Sequence, residues 1–255
     1  MVPSTPQVPE QTARAVMVAL ERIASPERAQ SSARFFKTGP GEYGEGDTFI
    51  GVTVPAQRTV LRSFRNLPLT ELTTLVDSPV HEHRLSAMIG AVDRFRRARD
   101  DGERETIADW YLDAARRGRV NNWDIVDVSA GPVLGGWLYD RPREVLFALA
   151  RSDGHGLNDL WLRRIAIIAT QEFIGRGDAS TTLELAPIYL DYPDDLLQKA
   201  TGWMLREVGK RVDRDLLTGF LDEYAARMPR TMLGYAIEHL TVDRRRHYRS
   251  LKNER

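Results

Sequence analysis

Cysteine is absent from the sequence. That excludes disulfides, thiolate metal sites and a cysteine nucleophile, and it fits a reducing compartment. Long apolar runs are absent as well. No stretch approaches the ~20 residues that a transmembrane helix needs, and with 28% charged residues the chain is not expected to enter a membrane. The opening MVPSTPQVPEQTARAVMVAL has neither the basic start nor the apolar core of a secretory signal, so the cytoplasm is the expected compartment. Net charge is also missing. Lys+Arg and Asp+Glu balance at 36 each, whereas many nucleic-acid binders are visibly basic, so composition by itself does not point to a polyanion. Lysine is scarce: only Lys37, Lys199, Lys210 and Lys252 occur, and the other 32 of the 36 basic residues are arginine. Such a bias reflects either a GC-rich genome or selection for guanidinium groups, which fork onto phosphate and stack on rings.

The chain does have helical rhythm. With 42% apolar residues among 255 it can bury a sizeable core, as one large domain or an extended stack of repeats. Apolar positions recur at three and four, which argues for an all-α protein. Proline-led starts punctuate them: Ser78-Pro79, Arg141-Pro142, Pro193 and Pro229 each precede an amphipathic segment, and a first helical position tolerates proline because its missing N–H would have no partner there. Short polar connectors such as Arg151 to Gly156 separate the segments. Roughly a dozen helices and no convincing strand suit stacked helical pairs of the HEAT type. The repeats share no tight signature, so this reading rests on helix rhythm. A single domain over 1–255 is expected, with N-terminal helices in 1–32 and a basic C-terminal tail at 241–255.

Two segments break the rhythm. Thr38 to Thr53 carries glycines at 39, 41, 44, 46 and 51. No Gly-Lys-Ser/Thr follows, and Glu42, Glu45 and Asp47 would repel a phosphate, so a structural loop is the better reading. The run Arg244 to Arg249 is the densest basic stretch; it either touches a nucleic-acid backbone or is solvated.

Familiar catalytic sets are missing. His81 and His83 flank Glu82, which is not the metal-binding HExxH, and a spacing of two points them to different helix faces. No metal site or serine nucleophile elbow is present, and no cofactor is expected. Catalysis would have to come from carboxylates, aromatics and arginines. Three segments offer them. In NNWDIVD, Trp123 and Asp127 lie four apart and so share one helical face. In LWLRRIA, Trp161 and Arg164 are one turn apart, and in LQKATGWMLRE, Trp203 has Lys199 one turn before it and Arg206 almost one turn after. Taken singly, each has an ordinary reading: tryptophan fills helix interfaces, Asp127 interacts with a helix N-terminus, and the arginines are solvated.

Together these segments resemble the AlkD-type DNA alkylation repair proteins, in which similar segments occur in the same order and at similar separations. FIGVTVPAQR, from Phe49 to Arg58, is similar to that family's F-x-G-[VI]-x-x-P-x-x-R signature, and the likeness runs from about Ala33 to Glu207. The resemblance implies HEAT-like helical repeats in a C-shaped solenoid with a concave, basic face that holds duplex DNA; a monomer is expected. It implies a DNA glycosylase of base excision repair that removes cationic N3- or N7-alkylated purines without flipping the base, bulky adducts included. Carried over, Trp123 and Trp203 would face the lesion's deoxyribose, Asp127 would be the catalytic carboxylate, and Arg164 would lie beside the DNA backbone. A neutral chain binds a polyanion only if its cations gather, and Arg163, Arg164, Lys199, Arg206, Lys210, Arg211 and the 244–249 run are the candidates. Phe35 stands where the family's type member has a tyrosine, which removes a hydroxyl from the DNA-facing set, and Glu172 stands in place of a lysine. The competing expectations are a non-catalytic HEAT-repeat DNA-binding protein and a protein–protein scaffold, the latter a common use of helical solenoids.

Overall fold

A computed structural model describes residues 9–152 and 157–251. Most of the Arg151 to Gly156 connector and the last four residues, with Lys252, lie outside them. Among the described residues the protein is all-α; its extended pairing is limited to an isolated parallel bridge between Thr48 and Val80. No helix there is long and apolar enough to cross a membrane. The chain forms two compact units, Met1–Ser129 and Ala130–Arg255.

The first unit contains α1 (Ala13–Glu21), α2 (Pro26–Phe35), α3 (Val54–Leu61), α4 (Leu69–Val76), α5 (His81–Arg97), α6 (Asp101–Arg116) and α7 (Trp123–Ser129), with a 3-10 turn at Arg62–Phe64. Caps set several starts. Thr12 accepts from the Ala15 N–H, Ser25 from Arg28 with Pro26 behind it, and Asp100 from Glu103, each satisfying a donor that the helix leaves orphaned. α5 packs against α3, α4, α6 and α7, so its apolar positions from Leu85 to Phe95 are buried. The glycine-rich stretch is a loop of turns, as its composition suggests. Gly51 has φ +76°, and a Cβ there would lie 2.2 Å from the Ser25 carbonyl oxygen, so only glycine fits.

The second unit begins with a π-helical segment at Ala130–Gly135 and continues through α8 (Gly136–Leu138), α9 (Glu144–Ala150), α10 (Leu157–Gly175), α11 (Ser180–Leu185), a 3-10 turn at Ala186–Tyr189, α12 (Asp195–Arg211), α13 (Arg214–Tyr224), α14 (Arg230–Ala236) and α15 (Val242–Ser250). α10 is apolar almost all round because α9, α12 and the π-helical segment cover it. Trp161 on this helix is only 1% exposed and belongs to the core. α12 and α14 approach closely at Gly202, where a Cβ would lie 2.4 Å from the Met232 carbonyl oxygen.

Helices do follow the prolines, but each proline lies just outside its helix and not at the first helical position. Pro79, Pro142, Pro193 and Pro229 precede the first helical residue by one or two places, and Pro229 is itself the N-cap residue. The basic run at 244–249 lies within α15, whose first turn is capped by Thr241 and whose Tyr248 is buried and donates to Asp222 at 2.7 Å.

Candidate functional site

The N-terminus of α5 gathers four consecutive polar residues, His81 to Arg84, all of them buried. Each has a distinct task. His81 reaches Asp124 through Nε2 at 2.9 Å and Asp47 through Nδ1 at 3.3 Å. The Glu82 carboxylate accepts from three successive backbone N–H groups, those of Ile50, Gly51 and Val52. His83 pairs with the Ser78 hydroxyl at 2.9 Å, and Arg84 donates to Asp47 and to the Ser78 carbonyl. Burial by itself would push the His81 pKa down, but the bonds to Asp124 and Asp47 outweigh it and hold the imidazolium up at about 9. Asp47 responds in the opposite sense: burial would raise it, and His81, Arg84 and Asn122 hold it below the ordinary carboxylate range.

An aromatic layer lies on this charged node. Phe36 stacks on Trp123 at 5.3 Å and 13° and on Phe49 at 5.1 Å and 23°, and its ring lies 4.8 Å from that of His81. Phe49 also stacks on His81 at 4.7 Å. Phe35 completes the layer edge-on to Trp123 at 5.9 Å and is 66% exposed, the highest value among the large apolar side chains described. This openness contrasts with the buried aromatics of the core.

α7 projects from the same node. The Asn122 side chain accepts from the Trp123 N–H at 2.8 Å and donates to Asp47, while Asp124 accepts from the Ile125 N–H at 2.8 Å. These bonds tie the first turn of α7 to the node, and Asp127 follows Trp123 one turn later. Both are half-buried. Asp127 lies close enough to Tyr111 to act on it: burial keeps that phenol protonated far above its usual range, and the Asp127 charge adds to the effect.

The remaining sequence candidates belong to the second unit. Trp203 is half-buried on α12. Arg164 is 5% exposed and donates to the Leu196 carbonyl. Arg163 donates to the Ser152 carbonyl and lies 4.2 Å over the Tyr192 ring. Lys199 pairs with Asp195 at 2.6 Å, Arg206 with Glu207 and Glu238, and Arg211 with Glu207 at 2.6 Å. Lys210 is exposed and makes no ion pair with a described residue. Glu172 holds Arg176 at 2.7 Å. Most cations expected to face DNA are thus already engaged within the protein. Sequence reasoning missed Asp47, Phe36, His81 and Asp124. The doubled Phe35-Phe36 and the HEHR run are the signals for two of these, but spacing alone tests the 81–83 triplet only as a metal motif. No cluster of three or more His, Asp or Glu suited to a metal occurs among the described residues.

The fold is that of an all-α helical repeat protein, and its first unit carries a half-open aromatic layer beside a helix with a carboxylate. The model of one family, described as DNA alkylation repair enzyme, matches residues 16–240, so the chain belongs to that family and its role lies in the repair of alkylated DNA. Among solved structures it is similar to a predicted DNA alkylation repair enzyme from Enterococcus faecalis, with 14% identity and a TM-score of 0.64 over 86% of this chain and 97% of that one. At this identity the likeness concerns the fold. No curated protein matches the sequence.

Proposed function

We propose that the protein is a DNA glycosylase that hydrolyses the N-glycosidic bond of cationic N3- or N7-alkylated purines in duplex DNA, bulky adducts included, as a step of base excision repair. The observation that carries this reading is the placement of Trp123 and Asp127 one turn apart on α7, with Trp123 held in the aromatic layer and Phe35 open beside it.

Alkylation at N3 or N7 gives the purine a formal positive charge. When the C1′–N bond breaks, the bonding electron pair leaves with the base, which departs neutral, so no general acid is needed. Positive charge develops on the deoxyribose. Asp127 opposes that charge and orients a water, whose oxygen bonds to C1′ as its proton passes to the carboxylate or to solvent. The face of Trp123 adds cation–π attraction, worth ~0.5–2 kcal/mol depending on desolvation. A phenyl ring at position 35 offers apolar contact without a hydroxyl to be satisfied. The enzyme works from outside the helix, as in the resembled family, so a bulky adduct need not enter a pocket. Arg164 would reach a phosphate only by giving up its bond to Leu196.

The test is single-turnover release of N7-methylguanine from duplex DNA at saturating protein, with wild type and Asp127→Asn compared. The substitution nearly preserves size, so folding is expected to be retained, while the rate is expected to fall ~100-fold or more. Equal rates in two equally folded proteins would remove Asp127 from the mechanism. Absence of release by wild type, with DNA binding retained, would leave a non-catalytic DNA binder.

A further inference from the structure

Beneath α3, the 3-10 turn that follows it and α5, the first unit contains a cavity of about 540 Å³. Its floor is apolar, formed by Leu61, Phe64, Leu67, Leu72, Ile89 and Val92, and its rim carries Arg58, Arg62, Arg65 and Arg96 with Asp93. The rim is electrostatically unbalanced. Asp93 is taken by Arg97 at 2.9 Å and by Arg65 at 3.6 Å, and the guanidinium groups of Arg58, Arg62 and Arg96 make no hydrogen bond or ion pair with any described residue. All three residues are exposed. Arg58 and Arg62 stand four apart, a spacing at which like charges repel. In a chain with 36 cations and 36 anions, where most of the expected DNA-facing cations are held by carboxylates or carbonyls, three such guanidinium groups around one cavity form a site for an anion.

We propose that this cavity is a second anchor for duplex DNA, with Arg58, Arg62 and Arg96 on backbone phosphates and the apolar floor against the edge of a deoxyribose. The inference rests on the proposed action on duplex DNA. The chemistry fits both halves of a nucleotide backbone. Guanidinium groups fork onto phosphate oxygens, and the sugar between two phosphates presents C–H surface that an apolar floor receives. A small anion such as free phosphate would use the rim and leave the floor wet. The anchor holds the backbone without reading sequence, as a repair enzyme that meets lesions in any context requires.

The experiment measures binding of a fluorescent, undamaged duplex by anisotropy over a range of salt concentrations. The variant Arg58→Gln, Arg62→Gln, Arg96→Gln is expected to flatten the log–log salt dependence by about 0.9 for each phosphate no longer neutralised, hence by about 2.7 for all three. A control removes the same charge from paired arginines, Arg99→Gln, Arg104→Gln, Arg117→Gln, and should keep the wild-type slope. Exchange of the three rim arginines for lysine should keep the slope and lower affinity, since charge survives and the fork does not. If thermal melting shows the triple glutamine variant unfolded, Arg96→Gln alone is expected to flatten the slope by about 0.9. An unchanged slope in a folded rim variant, or equal flattening in the control, overturns the anchor. Wild type that binds with a steep slope but releases no base would instead sink the glycosylase reading and leave the anchor standing.

Discussion

His81 shows how a single residue ties the site to the pH of its surroundings. Its pKa rises from 6.5 to about 9 on folding, so the folded state binds the proton more tightly. The stabilisation is therefore complete below pH 6.5 and is lost as pH rises through 9. Its size is on the order of 3 kcal/mol at most, from the conversion of pKa shift to free energy. Asp47, with a lowered pKa, acts in the other direction: its contribution is present above 3.8 and is lost as pH falls below it. The melting temperature is thus expected to decline from neutral to alkaline pH, and His81→Gln should start lower and show little of that decline. A wild-type melting temperature constant across the alkaline range would show that the imidazolium is not the form buried. Gly51 is a second sensitive position. Gly51→Ala would force a side chain into a left-handed backbone and against the Ser25 carbonyl. The left-handed conformation alone costs roughly 1–2 kcal/mol, so clear destabilisation by thermal melting is expected.

Among the elements, the start of α5 organises more than its own helix. Glu82 sits in the first turn, where a carboxylate favours the helix dipole, and its bonds to three loop N–H groups hold the FIGV segment of the signature in place. Glu82→Gln leaves fewer acceptor positions, and the orphaned N–H groups should cost on the order of 1–3 kcal/mol; an unchanged melting temperature would show that the clamp is dispensable. This element also marks where sequence reasoning reaches its limit. The proline before it, the apolar spacing along it and the Trp123–Asp127 register are legible because each is a local pattern with a fixed period. The partnership of His81 with Asp47 and Asp124 is not, because it joins residues 34 and 43 positions apart through a loop that no periodicity describes. Arg163 and Arg164 carry the same lesson. As sequence they are cations on a helix; their guanidinium groups end on main-chain carbonyls 11 and 32 positions away, and a carbonyl has no letter in a sequence.

For the molecule as a whole, selectivity should follow from what the site lacks. His81 is buried and committed to two carboxylates, which leaves it badly placed to protonate a departing base. Cationic purines are therefore expected to be excised and neutral bases such as uracil or hypoxanthine retained; efficient uracil release by the purified protein would reveal a general acid elsewhere in the molecule. The distribution of the five tryptophans has a separate, optical consequence. Trp161 is sealed in the core, Trp110 donates its indole N–H to Thr73 at 2.9 Å, and Trp137 is covered by the Arg141 guanidinium at 3.5 Å. Trp203 is half-buried on α12, and Trp123, also half-buried, is stacked on Phe36. A chromophore fixed by stacking is chirally perturbed, so Trp123 should contribute to the near-ultraviolet circular dichroism, and a Trp123→Phe difference spectrum would isolate it. DNA settling on the layer would then be visible as a change of colour in the ultraviolet at one ring, before any bond is broken.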